Sequence, residues 1–243
     1  SGTSKVHSVL KDNAGNLWIA IYQKGVMMIP AQPNSFKYIG YKSINKNIIG
    51  SNCITSLCRD HEGILWIGTD NDGIYGITTE LKQKVHYAPH DSPSSVPSTV
   101  FGLYEDSEHN LWFGSYTNGL GRLDKKTGQC SYLQNLTDKN GNRIQRVYDL
   151  VEDQDKRLWI ATMGAGLFYY DLKTGQSVYD PKFNAATKKY KWISCLLYAG
   201  DNHLYVGTYD GIRCIDLSTD DFKTEEILSR HIIHSLYEDP QGN

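Results

Sequence analysis

The stretch Asp60-His61-Glu62-Gly63-Ile64-Leu65-Trp66-Ile67-Gly68-Thr69 decides the fold. Its second half is a short apolar run, too brief for a helix and rich in residues that favour strands. Its first half is a turn: an acid, two polar residues, and a glycine able to take the positive φ of a tight hairpin. Working outward, the run returns as Leu17-Trp18-Ile19-Ala20, Leu111-Trp112-Phe113-Gly114, Leu158-Trp159-Ile160-Ala161 and Leu204-Tyr205-Val206-Gly207. The anchor aromatic stands at 18, 66, 112, 159 and 205, so the steps are 48, 46, 47 and 46. Asp12, Asp60, Asp106 and Asp153 repeat the acid six residues before the anchor. In the last copy Ala199 replaces the acid and Tyr205 replaces the tryptophan.

Each copy has the same internal order. An apolar strand ends at the acid (6–12, 54–60, 100–106, 147–153), and the anchor strand follows the turn. A loop then ends at Gly25, Gly73, Gly119, Gly166 or Gly211 and opens a third strand. Turns such as Asp124-Lys125-Lys126-Thr127-Gly128 lead to a fourth, Tyr-rich one. Four strands in a repeat of roughly 40–50 residues predict a β-propeller of four-stranded antiparallel blades. The small residue after each anchor leaves room where neighbouring blades approach. The chain is expected to form a single all-β domain over 1–243. It comprises about five blades (1–50, 51–97, 98–144, 145–190, 191–230), with the first strand of a sixth opening in 231–243.

Composition narrows the function. At 243 residues, 40% apolar, 21% charged and 12% aromatic, the profile is that of a globular protein. A net charge of −2 supplies no field for phosphate backbones, so nucleic acid is not an expected partner. No apolar stretch reaches the roughly 20 residues of a membrane span. The start at Ser1-Gly2-Thr3 and the stop within an expected turn at Pro240-Gln241-Gly242-Asn243 read as cuts from a longer protein, with any membrane attachment lying outside this chain. Cys53, Cys58, Cys130, Cys195 and Cys214 form no CxxC pair and are expected as small buried or half-buried thiols, with Cys53 and Cys58 on one strand.

The repeated phrase, with the connector Tyr87-Ala88-Pro89-His90-Asp91-Ser92-Pro93-Ser94-Ser95-Val96-Pro97-Ser98, resembles the two-component regulator propeller repeat. That family forms the extracytoplasmic sensor region of hybrid two-component histidine kinases. The resemblance implies a periplasmic input module, non-catalytic in itself, that responds to an oligosaccharide and signals through a membrane helix to a kinase outside this chain. Five blades and the opening of a sixth give no evident way to close the ring and cover its edge strands, so the chain is expected to be a segment of a larger propeller array. A neighbouring propeller or a second copy of the sensor is the expected macromolecular partner.

Catalytic and metal patterns are not apparent in the sequence. Eight histidines show no HExxH and no His/Cys cluster at metal spacing, and His231 and His234, expected on a strand, would face opposite sides. No metal or cofactor is expected. The acids that recur once per blade are expected to cap turns, and Trp18, Trp66, Trp112, Trp159 and Tyr205 to fill the core; a catalytic pair would be asymmetric. A structural or dimerisation module, and less readily a propeller lyase or glycosidase, remain the alternative functions.

Recognition is expected at positions that do not repeat, above all the loops between second and third strands, the connectors between blades and the residues just before each first strand. Tyr22, Asp70, Asn71, Tyr116, Asn118, Arg143, Arg146, Trp192 and Tyr209 lie there. Together they offer the aromatic faces and hydrogen-bonding groups that a sugar needs.

Overall fold

The computed structural model describes residues 6–21, 25–31, 39–40, 48–78, 80, 82–138, 140–179, 184, 192–219, 221–239 and 241. They fall into two compact units, 1–39 and 40–243. The first holds one sheet in the order β1 (Val6–Lys11), β2 (Leu17–Ile21), β3 (Gly25–Ile29). No fourth strand joins it among the described residues, and positions 32–38 and 41–47 lie outside them.

The second unit contains four four-stranded sheets, each in chain order. They are β4 (Ile54–Arg59) to β5 (Leu65–Thr69), β6 (Ile74–Ile77) and β7 (Gln83–Tyr87); and β8 (Val100–Glu105) to β9 (Leu111–Ser115), β10 (Leu120–Leu123) and β11 (Cys130–Tyr132). The next is β12 (Val147–Glu152), β13 (Arg157–Thr162), β14 (Leu167–Asp171) and β15 (Gln176–Tyr179). The last is β16 (Ile193–Ala199), β17 (His203–Thr208), β18 (Gly211–Asp216) and β19 (Thr224–Ser229). Every pairing is antiparallel, and β4, β8, β12 and β16 lie side by side as the inner strands. These sheets are propeller blades.

The hairpin between first and second strands explains the sequence period. One oxygen of each acid accepts turn amides: Asp106 Oδ1 takes the N–H groups of Glu108 and Asn110 at 2.9 and 2.8 Å. Its other oxygen accepts the indole N–H of the anchor, at 2.9, 2.8, 2.7 and 2.7 Å for Trp18, Trp66, Trp112 and Trp159. The six-residue spacing thus joins a turn to a core side chain through one carboxylate. Trp66, Trp112 and Trp159 are buried while Trp18 is exposed. Three residues past the acid position, the chain takes a positive φ at Gly15, Gly63, His109, Lys156 and Asn202, so the turn persists in the fifth copy without its acid.

Blades are also tied to each other. Glu105, ending β8, accepts the backbone N–H of His61 in the preceding blade at 2.7 Å. Glu152, ending β12, accepts that of Ser107 at 2.6 Å. Gly114 lies so close to β12 that an added Cβ would sit 2.6 Å from the Val147 carbonyl oxygen. Gly114→Ala is therefore expected to lower stability by about 1–3 kcal/mol in denaturant unfolding, because backbone on both sides must shift. An unchanged midpoint would mean that the blades separate easily at this point.

Three local expectations need correction. Residues 231–239 form no strand: Ile233 is held at its N–H by the Thr208 carbonyl and at its own carbonyl by Ser194 Oγ, and no strand pairs along the rest of the segment among the described residues. His231 and His234 accordingly do not lie on opposite faces of a strand. Cys53 precedes β4 and is exposed, whereas Cys58 is half-buried and Cys130, Cys195 and Cys214 are buried.

Candidate functional site

Each inner strand of the second unit breaks register near its start. The shift falls between Ile54 and Ser56, Val100 and Leu103, Val147 and Asp149, and Ile193 and Cys195. A bulge frees a side chain from the ladder and re-aims it. The freed residues are Thr55, Phe101 with Gly102, Tyr148 and Ser194. Thr55, Phe101, Tyr148 and Ser194 line a cavity of about 230 Å³ between the inner strands, together with Asp149, Cys195 and His234.

The loops at one end of this cavity carry several of the expected site residues. Tyr209 N–H donates to the Trp192 carbonyl and Met163 N–H to that of Arg146, so the second-to-third-strand loops are tied to the residues preceding the inner strands. The Arg146 guanidinium lies 5.0 Å from the Tyr116 ring centre. Tyr116 meets Phe101 edge-on at 5.9 Å, and Phe101 stacks on Tyr148 at 4.5 Å. Burial pushes the Tyr148 phenol up, and the neighbouring Tyr209 phenol adds to this. Tyr209 in turn lies 5.7 Å from Trp192. An arc of aromatic rings therefore runs from Arg146 to Trp192. Tyr116, Trp192 and Tyr209 are 42%, 44% and 44% exposed, which is high for large rings beside a cavity.

Others of the expected residues are engaged in contacts of a different kind. Asp70 accepts the Thr99 hydroxyl at 2.7 Å and so braces two blades, while Asn71 beside it is exposed at φ 81°. Arg143 donates to the Asn118 carbonyl at 3.2 Å, a contact within the same blade. Tyr22 lies outside the described residues.

Sequence reasoning missed Phe101, Tyr148 and Asp149. A signal was present: within strands whose first residue is always Val or Ile, the second varies as Thr55, Phe101, Tyr148 and Ser194. Asp149 accepts the N–H groups of Leu196 in the next blade at 2.8 Å and of Leu150 at 2.9 Å. Enclosure nevertheless pushes its carboxyl up to about 6. Two larger depressions, of about 400 and 470 Å³, run along outer strands beside Arg122 and Gln129 and beside His203 and Lys223. Neither has a Phe, Tyr or Trp side chain among its described lining residues, and the arc remains the candidate site.

Residues 48–71, 94–117 and 141–164 match the family model described as two component regulator propeller. Three of the five repeats are thus similar to the two component regulator propeller repeat. The chain aligns with the extracellular domain of BT4673 of B. thetaiotaomicron, described as a one component system, at 22% identity and a TM-score of 0.68. That alignment covers 96% of this chain and 33% of the other. The extracellular domain of BT3049, described as a hybrid two component system of the same organism, aligns at 19% identity and a TM-score of 0.57, over 98% of this chain and 37% of the other. The β-propeller domain of Cps50 (Swd1) of Myceliophteria thermophila aligns at 18% identity and a TM-score of 0.56, over 80% and 61%. The chain thus spans about a third of the two bacterial extracellular domains, and at these identities the likeness establishes the propeller fold. None of the curated proteins matches the chain in sequence.

Proposed function

We propose that this chain is a non-catalytic segment of an extracytoplasmic sensor propeller, and that it takes an oligosaccharide at the mouth formed by Tyr116, Phe101, Tyr148, Tyr209 and Trp192. The observation that carries this reading is the arc itself. Exposed rings offer flat apolar faces to the C–H faces of a sugar, and hydroxyl, carboxyl and guanidinium groups beside them can take the sugar hydroxyls. The repeat family and the two bacterial extracellular neighbours support an input role outside the cytoplasm, within a longer receptor whose kinase and membrane segments lie beyond this chain. A second copy or a neighbouring propeller is the proposed partner in relaying the signal.

A non-catalytic reading accords with the state of the repeated acids. Both oxygens of Asp12, Asp60, Asp106 and Asp153 are engaged by turn amides and an indole, which commits them to scaffolding.

Oligosaccharide array screening followed by calorimetry is the direct test. A binding glycan should lose about tenfold in affinity on Trp192→Ala, and similarly on Tyr116→Ala, since each removes roughly 1.4 kcal/mol of stacking. Silence across the array, or affinity indifferent to both substitutions, refutes the sugar site.

A further inference from the structure

At the opposite end of the blades, three residues distant in sequence converge. His61 sits in the β4–β5 hairpin, Glu105 ends β8, and His109 sits in the β8–β9 hairpin. His61 Nδ1 lies 2.8 Å from Glu105 Oε1, and the His61 and His109 rings stack with centres 3.7 Å apart and planes 25° from parallel. One ligating atom from each of the three lies within 4.8 Å of the others. Local spacing in the sequence shows no such cluster, because two of its members are one blade apart.

We propose that His61, Glu105 and His109 form a zinc site that bridges two adjacent blades. Two imidazoles and one carboxylate are a common zinc ligand set, and water fills the fourth position of such an open site. Ligands of one tetrahedral zinc ion stand about 3.3 Å apart. Since the three ligating atoms all lie within 4.8 Å of one another, no pair needs to close by more than about 1.5 Å, and His61 Nδ1 and Glu105 Oε1, at 2.8 Å, need to open by about 0.5 Å; rotation of two exposed imidazole rings about their side-chain bonds reaches both. Glu105 is already fixed: the His61 N–H holds one oxygen, and the other lies 2.7 Å from Lys125 Nζ. Lys125 also lies 3.4 Å from Asp60 Oδ2, so an ammonium displaced by the ion retains a carboxylate partner.

The backbone at His109 takes φ 67° at the turn position filled by Gly15, Gly63, Lys156 and Asn202 in the other copies, and this places its side chain beside Glu105. Lys156 occupies the same position in the next blade, and its ammonium reaches Glu152, the counterpart of Glu105, at 3.5 Å. At this turn position, then, the side chain reaches back to the carboxylate that joins the blades.

The test is calorimetric titration of the chelator-treated 243-residue chain with zinc chloride. One zinc per chain is expected, bound about tenfold to a hundredfold more weakly in His61→Gln and in His109→Asn. Asparagine tolerates the left-handed backbone, and melting in the absence of zinc reports whether each variant folds. Zinc should raise the melting temperature of the wild type, and this rise should be lost in the variants. Histidine-ring NMR of the wild type provides a check that needs no variant: zinc must move the His61 and His109 ring resonances. Absence of binding, equal binding by the variants, or unmoved ring signals from these two histidines overturns the site.

Discussion

Asp153→Ala is expected to destabilise the chain by about 3–5 kcal/mol, the cost of breaking a buried ion pair from one side. Asp153 is buried and carries four bonds. Its Oδ1 accepts the N–H groups of Asp155 and Arg157 at 2.9 and 3.0 Å, and its Oδ2 accepts Arg157 Nε at 2.6 Å and the Trp159 indole at 2.7 Å. The Arg157 guanidinium lies within 6 Å of the Trp159, Tyr169 and Phe222 ring centres, at 5.7, 5.9 and 5.6 Å. Alanine would leave that cation among aromatic rings without its closest carboxylate, and would orphan a fully buried indole N–H. Urea unfolding monitored by tryptophan fluorescence reads the effect. Asp12→Ala, at an exposed copy of the same turn, should cost much less. A loss below about 1 kcal/mol for Asp153→Ala would show that the clamp is redundant with blade packing.

Asp149 should behave in the opposite sense, because its charge is a burden. With its carboxyl raised to about 6 in the fold against an ordinary value of 3.8, the native state holds a proton that the unfolded chain has released. Stability from this group therefore falls as pH rises from about 4 to about 6, and stays reduced above that range. The cost is up to about 3 kcal/mol at neutral pH, at 1.36 kcal/mol per pH unit. The accessible surface that Asp149 retains beside the cavity tempers it.

Asp149→Asn removes the charge and retains one of the two acceptor oxygens, so its side-chain NH2 faces one of the Leu196 and Leu150 amides, at a cost of about 1–3 kcal/mol that does not depend on pH. The stability of wild type relative to the variant should therefore fall by up to about 3 kcal/mol between pH 4 and pH 7.5. Unfolding midpoints across that range decide the matter. A difference between the two that stays constant with pH would mean that enclosure does not raise the Asp149 carboxyl.

Much of the fold was legible without coordinates. A turn acid six residues before an aromatic, repeated four times, needs only local chemistry to be recognised, because the hairpin closes within a few residues. The strands β4–β6, β8–β10, β12–β14 and β16–β18 follow from it, as does the Gly or Ala that lets blades approach. What the local pattern omits is the partner of each group. That one carboxylate oxygen caps the turn while the other takes the indole N–H is visible only once the side chains are placed.

The site divides along the same line. Trp192, Tyr209, Tyr116 and Arg146 were expected because loop residues that break a repeat are free to vary, and tertiary structure joins them through Phe101 and Tyr148. Those two had been hidden in strands that read as core, and a bulge turned them out of the ladder. Asp70, Asn118 and Arg143 belong to the expected set by sequence and to blade bracing or the same-blade rim by position.

Sequence alone determined the repeat, its strands and its turns, since these depend on neighbours within about ten residues. Tertiary structure decided which residues one blade presents to the next: the enclosure of Asp149, the aromatic arc and the meeting of His61, Glu105 and His109. The contacts that join one blade to the next, Asp149 to Leu196, Phe101 to Tyr148 and His61 to Glu105, each span more than 40 residues, and a chain's local preferences carry no record of which side chains its blades will bring face to face.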